Sequence, residues 1–374
     1  MRIVADSQLA GVETEFASAG ELALCKAQDI SPELVSRADA LLVRSVTQVN
    51  EALLQGSSVR FVGTATSGMD HLDLAYLDSQ KIKVVHAAGS NANAVVDYCL
   101  TAIASAITAG LLAANDVRVG IVGAGHVGSE LASRLQRMNI PVVVYDPPRA
   151  SNEPLFVSAS LTEVLQCNVI SLHVPLTRNG EYATRKLFDA AVLQQLQANT
   201  VLLNSCRGGV VDEPALLALL SEGRRVHYVA DVWEQEPAVS VALARRCFIA
   251  TPHIAGYSQR AKRQATRALR VQFAQWVADA PVMQTAGQDE KPGPSDYLVT
   301  ADDTVWSLMT AHLPLENTSK QFVAALESGK GRAVFESIRQ DMLQRREFCE
   351  VSLAKDGLPE AVQQQAAMQG FHCL

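Results

Sequence analysis

The segment VRVGIVGAGHVGSELASRLQRM, residues 117 to 138, joins an apolar run to a stretch with helical spacing through three glycines. Gly123, Gly125 and Gly128 stand as G-x-G-x-x-G, and a second apolar run, PVVVYD, follows and ends in Asp146. Alone, the glycines describe a tight turn. Between a strand and a helix they divide the labour, since Gly123 allows the turn, Gly125 lets backbone approach a pyrophosphate, and Gly128 lets helix and strand pack closely. The helix start offers free N–H donors and a positive dipole end to phosphate. Asp146, about 20 residues on, can accept hydrogen bonds from both adenosine ribose hydroxyls and repels a 2′-phosphate. The cofactor this implies is NAD, with nearby Arg149 as the one feature that would suit NADP.

Working outward, short apolar runs alternate with helical patterns through the first 280 residues. Four runs come first (RIVA, ALLVRS, VRFVGTA and IKVVHAA) and six later ones begin at VRVGIVGAG: PVVVYD, VISLHV, TVLLNS, HYVADVW and FIATPHI follow it. This alternation predicts parallel sheets covered by helices. The expected fold class is α/β, with two doubly wound, Rossmann-like sheets joined by a long helix beginning near Asn93. YCLTAIASAITAGLLAA, residues 98 to 114, is too short and too rich in Ala and Thr for a membrane span and reads as part of that buried helix. The basic stretch QRAKRQATRALR, residues 259 to 270, reads as the solvated face of another. AGQDEKPGPSDYL, residues 286 to 298, has linker composition, and weaker strands and helices beyond it form a small third α/β unit.

Composition narrows the function classes. The chain has 374 residues, 48% of them hydrophobic and 19% charged, with a net charge of −7. This balance suits a soluble globular protein and disfavours nucleic acid or an acidic membrane surface as partner. Seven scattered cysteines without a C-x-x-C pair point to reduced thiols, a cytoplasmic setting and no metal site. The N-terminal MRIVADSQLAG has no signal-peptide core and reads as a first strand and turn.

Ligands of open parallel sheets sit outside the carboxyl ends of the strands. Three such ends carry chemistry: TVLLNSCRGGVVDE presents Arg207, YVADVWEQEP presents Asp231 and Glu236, and FIATPHIAG presents His253. An arginine, an acid and a histidine beside a nicotinamide suit oxidation of a 2-hydroxy acid. Arg207 binds the carboxylate and the C2 oxygen, His253 takes the hydroxyl proton as hydride leaves, and Glu236 orients the imidazole and favours its charged form. Singly, these residues read as a turn arginine, an acid before proline, a helix cap and an ordinary histidine; their joint placement carries the expectation.

GAGHVG, NSCRGGVVDE, DVWEQEP and TPHIAG resemble the signatures of the D-isomer-specific 2-hydroxyacid dehydrogenases over about residues 1 to 280. ADALLVRSVTQVN, FVGTATSGMDHLD, AAGSNANAVVDY, YDPPR and PHIAGYS are similar to a branch of that family that oxidises 4-phospho-D-erythronate. The resemblance implies catalytic Arg207, Glu236 and His253, and substrate contacts from Ser45, Thr66 and Tyr257. It implies cofactor contacts from Gly123, Gly125, His126, Val127, Gly128, Asp146, Val174, Asp231 and Gly256. Arg44 offers a cation to a substrate phosphate. The implied organisation is a substrate domain of residues 1–97 and 255–285, an NAD domain of 98–254, and a C-terminal unit of 286–374 through which a homodimer forms. Val174 stands where a threonine is common, Ala88 and Ser90 where Pro and Cys are expected, and Asp97 where a Glu is expected. The alternatives are a phosphoglycerate or other D-2-hydroxyacid dehydrogenase and, from another class, an NAD-sensing binding protein.

Overall fold

The computed structural model describes residues 1–278 and 292–373. The start of the expected linker, residues 286–291, lies outside the described residues. The chain divides into two compact units: Met1–Asn91 with Ser258–Asp289, and Ala92–Tyr257 with Glu290–Leu374.

In the first unit, β1 (Arg2–Asp6), β2 (Glu21–Cys25), β3 (Ala40–Val43), β4 (Phe61–Thr64) and β5 (Lys83–His86) form a parallel sheet in the order β2-β1-β3-β4-β5. Four of these are the apolar runs of the sequence. The fifth, β2, reads ELALC; it lies at the sheet edge, half-exposed, so its apolar signal is short and diluted. The helix Gln259–Ala278 covers one face, burying Ala265, Leu269 and Phe273. Phe273 meets Phe61 and Phe16 edge-on at 5.2 and 5.6 Å, a favoured geometry for aromatic quadrupoles. Gly63 on β4 leaves room for this packing, since a Cβ there would come within 2.9 Å of Leu42.

The second unit holds β6 (Val119–Val122), β7 (Val142–Tyr145), β8 (Val169–Leu172), β9 (Thr200–Asn204), β10 (Val226–Ala230) and β11 (Ile249–Ala250), all parallel, in the order β11-β10-β9-β8-β6-β7. β6, β8 and β9 are buried along their whole length, which explains continuous apolar runs where a half-exposed strand would alternate. The helix Ala92–Thr108 is buried from Ala94 to Ala106, as expected of a connecting helix inside a covered sheet.

Register sets where the chemistry can sit. Tyr145, Val122, Leu172, Asn204, Ala230 and Ala250 are successive Cα partners across the sheet. At roughly 4.8 Å per strand, every loop that leaves this row emerges on one carboxyl edge.

The C-terminal residues of this unit include β12 (Gly293–Pro294), β13 (Val351–Leu353) and β14 (His372–Cys373), a three-stranded parallel sheet in that order. They are tied to the helices beside the six-stranded sheet by buried polar contacts. Asp97 accepts from Arg134 Nη1 at 2.7 Å and from the Phe348 backbone N–H at 2.8 Å. Arg134 also donates to the Gln369 carbonyl at 3.1 Å, to Asn93 at 2.9 Å and to Glu130 at 2.9 Å. Arg134 and Asp97 are 8% and 2% exposed, so removing either partner strands a charge in the interior, a loss of about 3–5 kcal/mol. The aspartate that departs from the family pattern thus has a structural assignment.

Candidate active site

β6 ends at Val122 and the chain turns through Gly123 at φ +92° into the helix His126–Arg137. A Cβ on Gly123 would stand 2.6 Å from the His173 carbonyl oxygen and 2.9 Å from Val174, which places Val174 against the glycine turn. On Gly128 it would reach within 1.9 Å of the Gly123 carbonyl, so helix and turn could not approach. On Gly125 it would meet nothing within 4 Å. Gly125 is the N-cap and supplies no side-chain acceptor, leaving the first N–H groups of the helix available to a ligand. His126 is exposed and Val127 packs against the core.

Asp146 follows β7. One oxygen accepts from the Ala124 N–H at 2.7 Å and the other from the Arg149 N–H at 3.0 Å, so the acid fixes the glycine turn as well as facing the cleft. That cleft has a volume of about 660 Å³, and its lining includes Gly125, His126, Asp146 and Arg149. Arg149 donates to the Ala124 carbonyl and Ser129 and pairs with Glu153 at 2.8 Å. Its charge is therefore largely engaged, while the Asp146 carboxylate keeps lone pairs for ribose hydroxyls. Glycine pattern, open N-terminus and strand-end acid together fit a bound dinucleotide.

Arg207 leaves β9 on a turn shaped by Asn204, whose side chain donates to the Arg207 carbonyl at 3.0 Å and accepts from the Cys206 N–H at 3.2 Å. Gly208 then passes so close to the next loop that a Cβ there would lie 1.9 Å from the Trp233 carbonyl oxygen. The Arg207 turn and the 233–236 loop are thereby pressed together.

Glu236 accepts from the Trp233 N–H at 2.9 Å through one oxygen and bonds His253 Nδ1 at 2.7 Å through the other. Burial pushes the Glu236 carboxyl up, but the hydrogen bond and charge of His253 outweigh it, helped by the Trp233 N–H and Arg339; the net shift is downward. His253 is held in a strained backbone conformation, at φ +56°. Asp231 keeps it there. The His253 N–H donates to the Asp231 carbonyl at 2.7 Å, and the Asp231 carboxylate accepts from the Ile254 and Ala255 N–H groups and the Thr251 hydroxyl at 2.7 to 2.8 Å. The carboxylate expected to touch cofactor is fully buried and braces the 253–255 loop, with half-buried Gly256 next in the chain.

Arg207, Glu236, His253 and Tyr257 all belong to the second unit. Ser45 and Thr66 belong to the first, on loops leaving the adjacent strands β3 and β4; Ser45 is exposed, and Thr66 bonds Thr64 and the Gly68 carbonyl. Arg44 is bound to Asp6 and Gln8, each at 2.6 Å.

Two residues beyond the legible motifs reach the loop that carries His253 and Tyr257. Arg345, buried, donates to the Ala255 carbonyl at 3.1 Å and to that of Ala94. Arg339, on the helix Gly331–Asp341, donates to the Tyr257 hydroxyl and stacks on its ring, 4.8 Å from the centroid. Both lie in a region without sequence motif or charge pattern that would single them out.

Residues 107–255 match the family described as D-isomer specific 2-hydroxyacid dehydrogenase, NAD binding domain. The chain is 39% identical to erythronate-4-phosphate dehydrogenase of Pseudomonas fluorescens (strain Pf0-1), over 99% of both chains. It is 36% identical to the enzyme of that name from Hahella chejuensis, over 96% of this chain and 95% of the other. Among solved structures, NAD+-bound 3-phosphoglycerate dehydrogenase of Entamoeba histolytica superposes with a TM-score of 0.63 at 23% identity, covering 77% of this chain and 99% of that one, a likeness of fold. The near full-length match to relatives, with a glycine turn, a strand-end acid and a Glu236–His253 pair in the structure, establishes that the chain belongs to the D-isomer-specific 2-hydroxyacid dehydrogenases and is an NAD-dependent dehydrogenase.

Proposed function

We propose that the protein oxidises 4-phospho-D-erythronate at C2 to (3R)-3-hydroxy-2-oxo-4-phosphobutanoate, a step in pyridoxine 5′-phosphate biosynthesis. The relatives' shared name supports the substrate, and the Glu236–His253 pair, on a loop pressed against the Arg207 turn, supports the chemistry. Because Nδ1 of His253 is bonded to Glu236, Nε2 is the nitrogen that accepts the C2 hydroxyl proton. As that O–H bond breaks, its electrons form the C2 carbonyl and the C2 hydrogen departs as hydride. Bound NAD supplies the hydride acceptor. Glu236 stabilises the imidazolium that results, and Arg207 orients the substrate carboxylate and draws charge from the C2 oxygen. Asp231 keeps His253 in a backbone conformation it would otherwise leave.

Replacing His253 with Ala tests the proton transfer. Turnover should fall by about 10²- to 10⁴-fold, the usual worth of a general base, with NADH affinity retained. Near-normal turnover refutes the assignment. Strong preference for 4-phosphoerythronate over 3-phosphoglycerate, D-lactate and D-glycerate, followed by NADH absorbance, is the result expected for the substrate. We further propose a homodimer through residues 286–374, on the family resemblance, and a cytoplasmic setting, which seven scattered cysteines without a C-x-x-C pair favour. Among the described residues, no helix is long and apolar enough to cross a membrane.

A further inference from the structure

A substrate with a phosphate at one end needs cations or N–H donors there as well as at its carboxylate. Arg44, the candidate visible in the sequence, has guanidinium donors committed to Asp6 and Gln8 at 2.6 Å. Arg339 is placed differently. Its guanidinium lies over the Tyr257 ring at 4.8 Å and over Phe335 at 5.5 Å, and donates to the Tyr257 hydroxyl. The carboxylate it pairs with, Glu336, stands 3.3 Å away, one helical turn back and 60% exposed, which makes a weak pair. Its Nε–H is buried without an acceptor among the described residues, although the side chain as a whole is 19% exposed. An orphaned guanidinium N–H is costly to maintain for structural reasons alone. The charge also reaches the catalytic pair, since Arg339 helps lower the Glu236 carboxyl.

We propose that Arg339, together with the hydroxyl of Tyr257, is the subsite that receives the phosphate group of the substrate. The planar fork matches a phosphate dianion, stacking on Tyr257 and Phe335 holds it in orientation, and the unfilled Nε–H is the donor a phosphate oxygen takes up. Three residues separate Tyr257 from His253, so one loop carries proton acceptor and phosphate partner. The helix Gly331–Asp341 then contributes to substrate choice. This assignment rests on the phosphorylated-acid reading above.

The test compares 4-phospho-D-erythronate with D-erythronate, which differ by the phosphate, in initial-rate kinetics with NAD on the full chain. The quantity read is the ratio of kcat/KM for the two acids. Arg339→Met should lower this ratio by about 10- to 100-fold, the worth of charge-assisted hydrogen bonds, and weaken competitive inhibition by inorganic phosphate to a similar degree. Arg339→Lys keeps the charge without the fork, so the ratio should fall by about 3- to 10-fold; it serves as the test if Arg339→Met does not fold. A ratio unchanged in the variants overturns the proposal, whether both activities fall together, as for a residue that only positions Tyr257 and Glu236, or neither does. A wild-type enzyme with no preference between the two acids refutes the phosphorylated-substrate reading itself, and this proposal with it.

Discussion

Gly208→Ala should disable the enzyme without touching any group that does chemistry. A Cβ at this position would stand 1.9 Å from the Trp233 carbonyl oxygen, 2.2 Å from its carbon and 2.7 Å from the Glu234 nitrogen. All three are backbone atoms, so no side chain can swing aside. Real Cβ contacts do not fall below 3.0 Å, so the Arg207 turn and the 233–236 loop must separate by at least about 1.1 Å (3.0 − 1.9). One loop carries Arg207, the proposed carboxylate ligand, and the other carries Glu236, so the separation shifts Arg207 relative to the imidazole that Glu236 holds at 2.7 Å. A misplacement of about 1 Å costs on the order of 10²-fold in rate, close to 2.7 kcal/mol of barrier. Stability should fall by a further 1–3 kcal/mol or so from overpacking. The assay is steady-state NADH formation beside fluorescence-detected NADH binding. The expected pattern is kcat/KM down about 100-fold with the nucleotide dissociation constant changed only a few-fold, because the glycine turn at 123–128 lies on other strands. Wild-type turnover in a folded Gly208→Ala protein would refute the claim that these loops form one constellation.

Two further outcomes follow from the electrostatics. Burial, with the charges of Glu234 and Glu236 adding and the Glu234 N–H opposing, raises the Glu213 carboxyl to about 7. A folded value above the unfolded one gives stability that is complete below about pH 4.5 and lost as pH rises through about 7, so the wild type should lose roughly 1 kcal/mol between pH 6 and 8. Glu213→Gln should flatten that part of the melting-temperature profile, and an unchanged profile would contradict the burial argument. Asp146→Ser removes the charge that repels a 2′-phosphate and leaves Arg149 nearby, so the ratio of NADPH to NADH affinity should rise by at least about 10-fold in fluorescence titrations; no change would show that Asp146 only caps its helix.

The second unit was largely legible because its strands are buried on both faces and its glycines serve backbone approach, and both constraints leave local marks. The row from Val122 to Ala250 appears in the chain as successive apolar runs, each followed by the polar residues that carry the chemistry. β2 left a fainter mark, as an edge strand of five residues has little apolar face to advertise. Asp231 shows a different limit. Its place at a strand end was readable, but whether a strand-end carboxylate faces ligand or turns inward to brace a loop depends on where Ile254 and Ala255 bring their N–H groups, a matter of tertiary path. Arg339 and Arg345 were invisible for the same reason: arginine is ordinary on a helix until the fold shows what lies opposite.

The contacts of Arg134 also bear on the order in which the molecule can be built. Its carbonyl accepts from the Gln369 side chain, and its guanidinium donates to the Gln369 carbonyl, across a sequence separation of 235 residues. Asp97 receives the Phe348 N–H across 251. During synthesis, the helix behind the glycine turn therefore emerges long before the residues that complete its polar environment, and closing so long a loop is slow. At about 5–20 residues per second, that interval lasts tens of seconds, during which the nascent nucleotide-binding part carries an ion pair open to water. The polar environment of this helix is completed by its last-made contacts rather than its first.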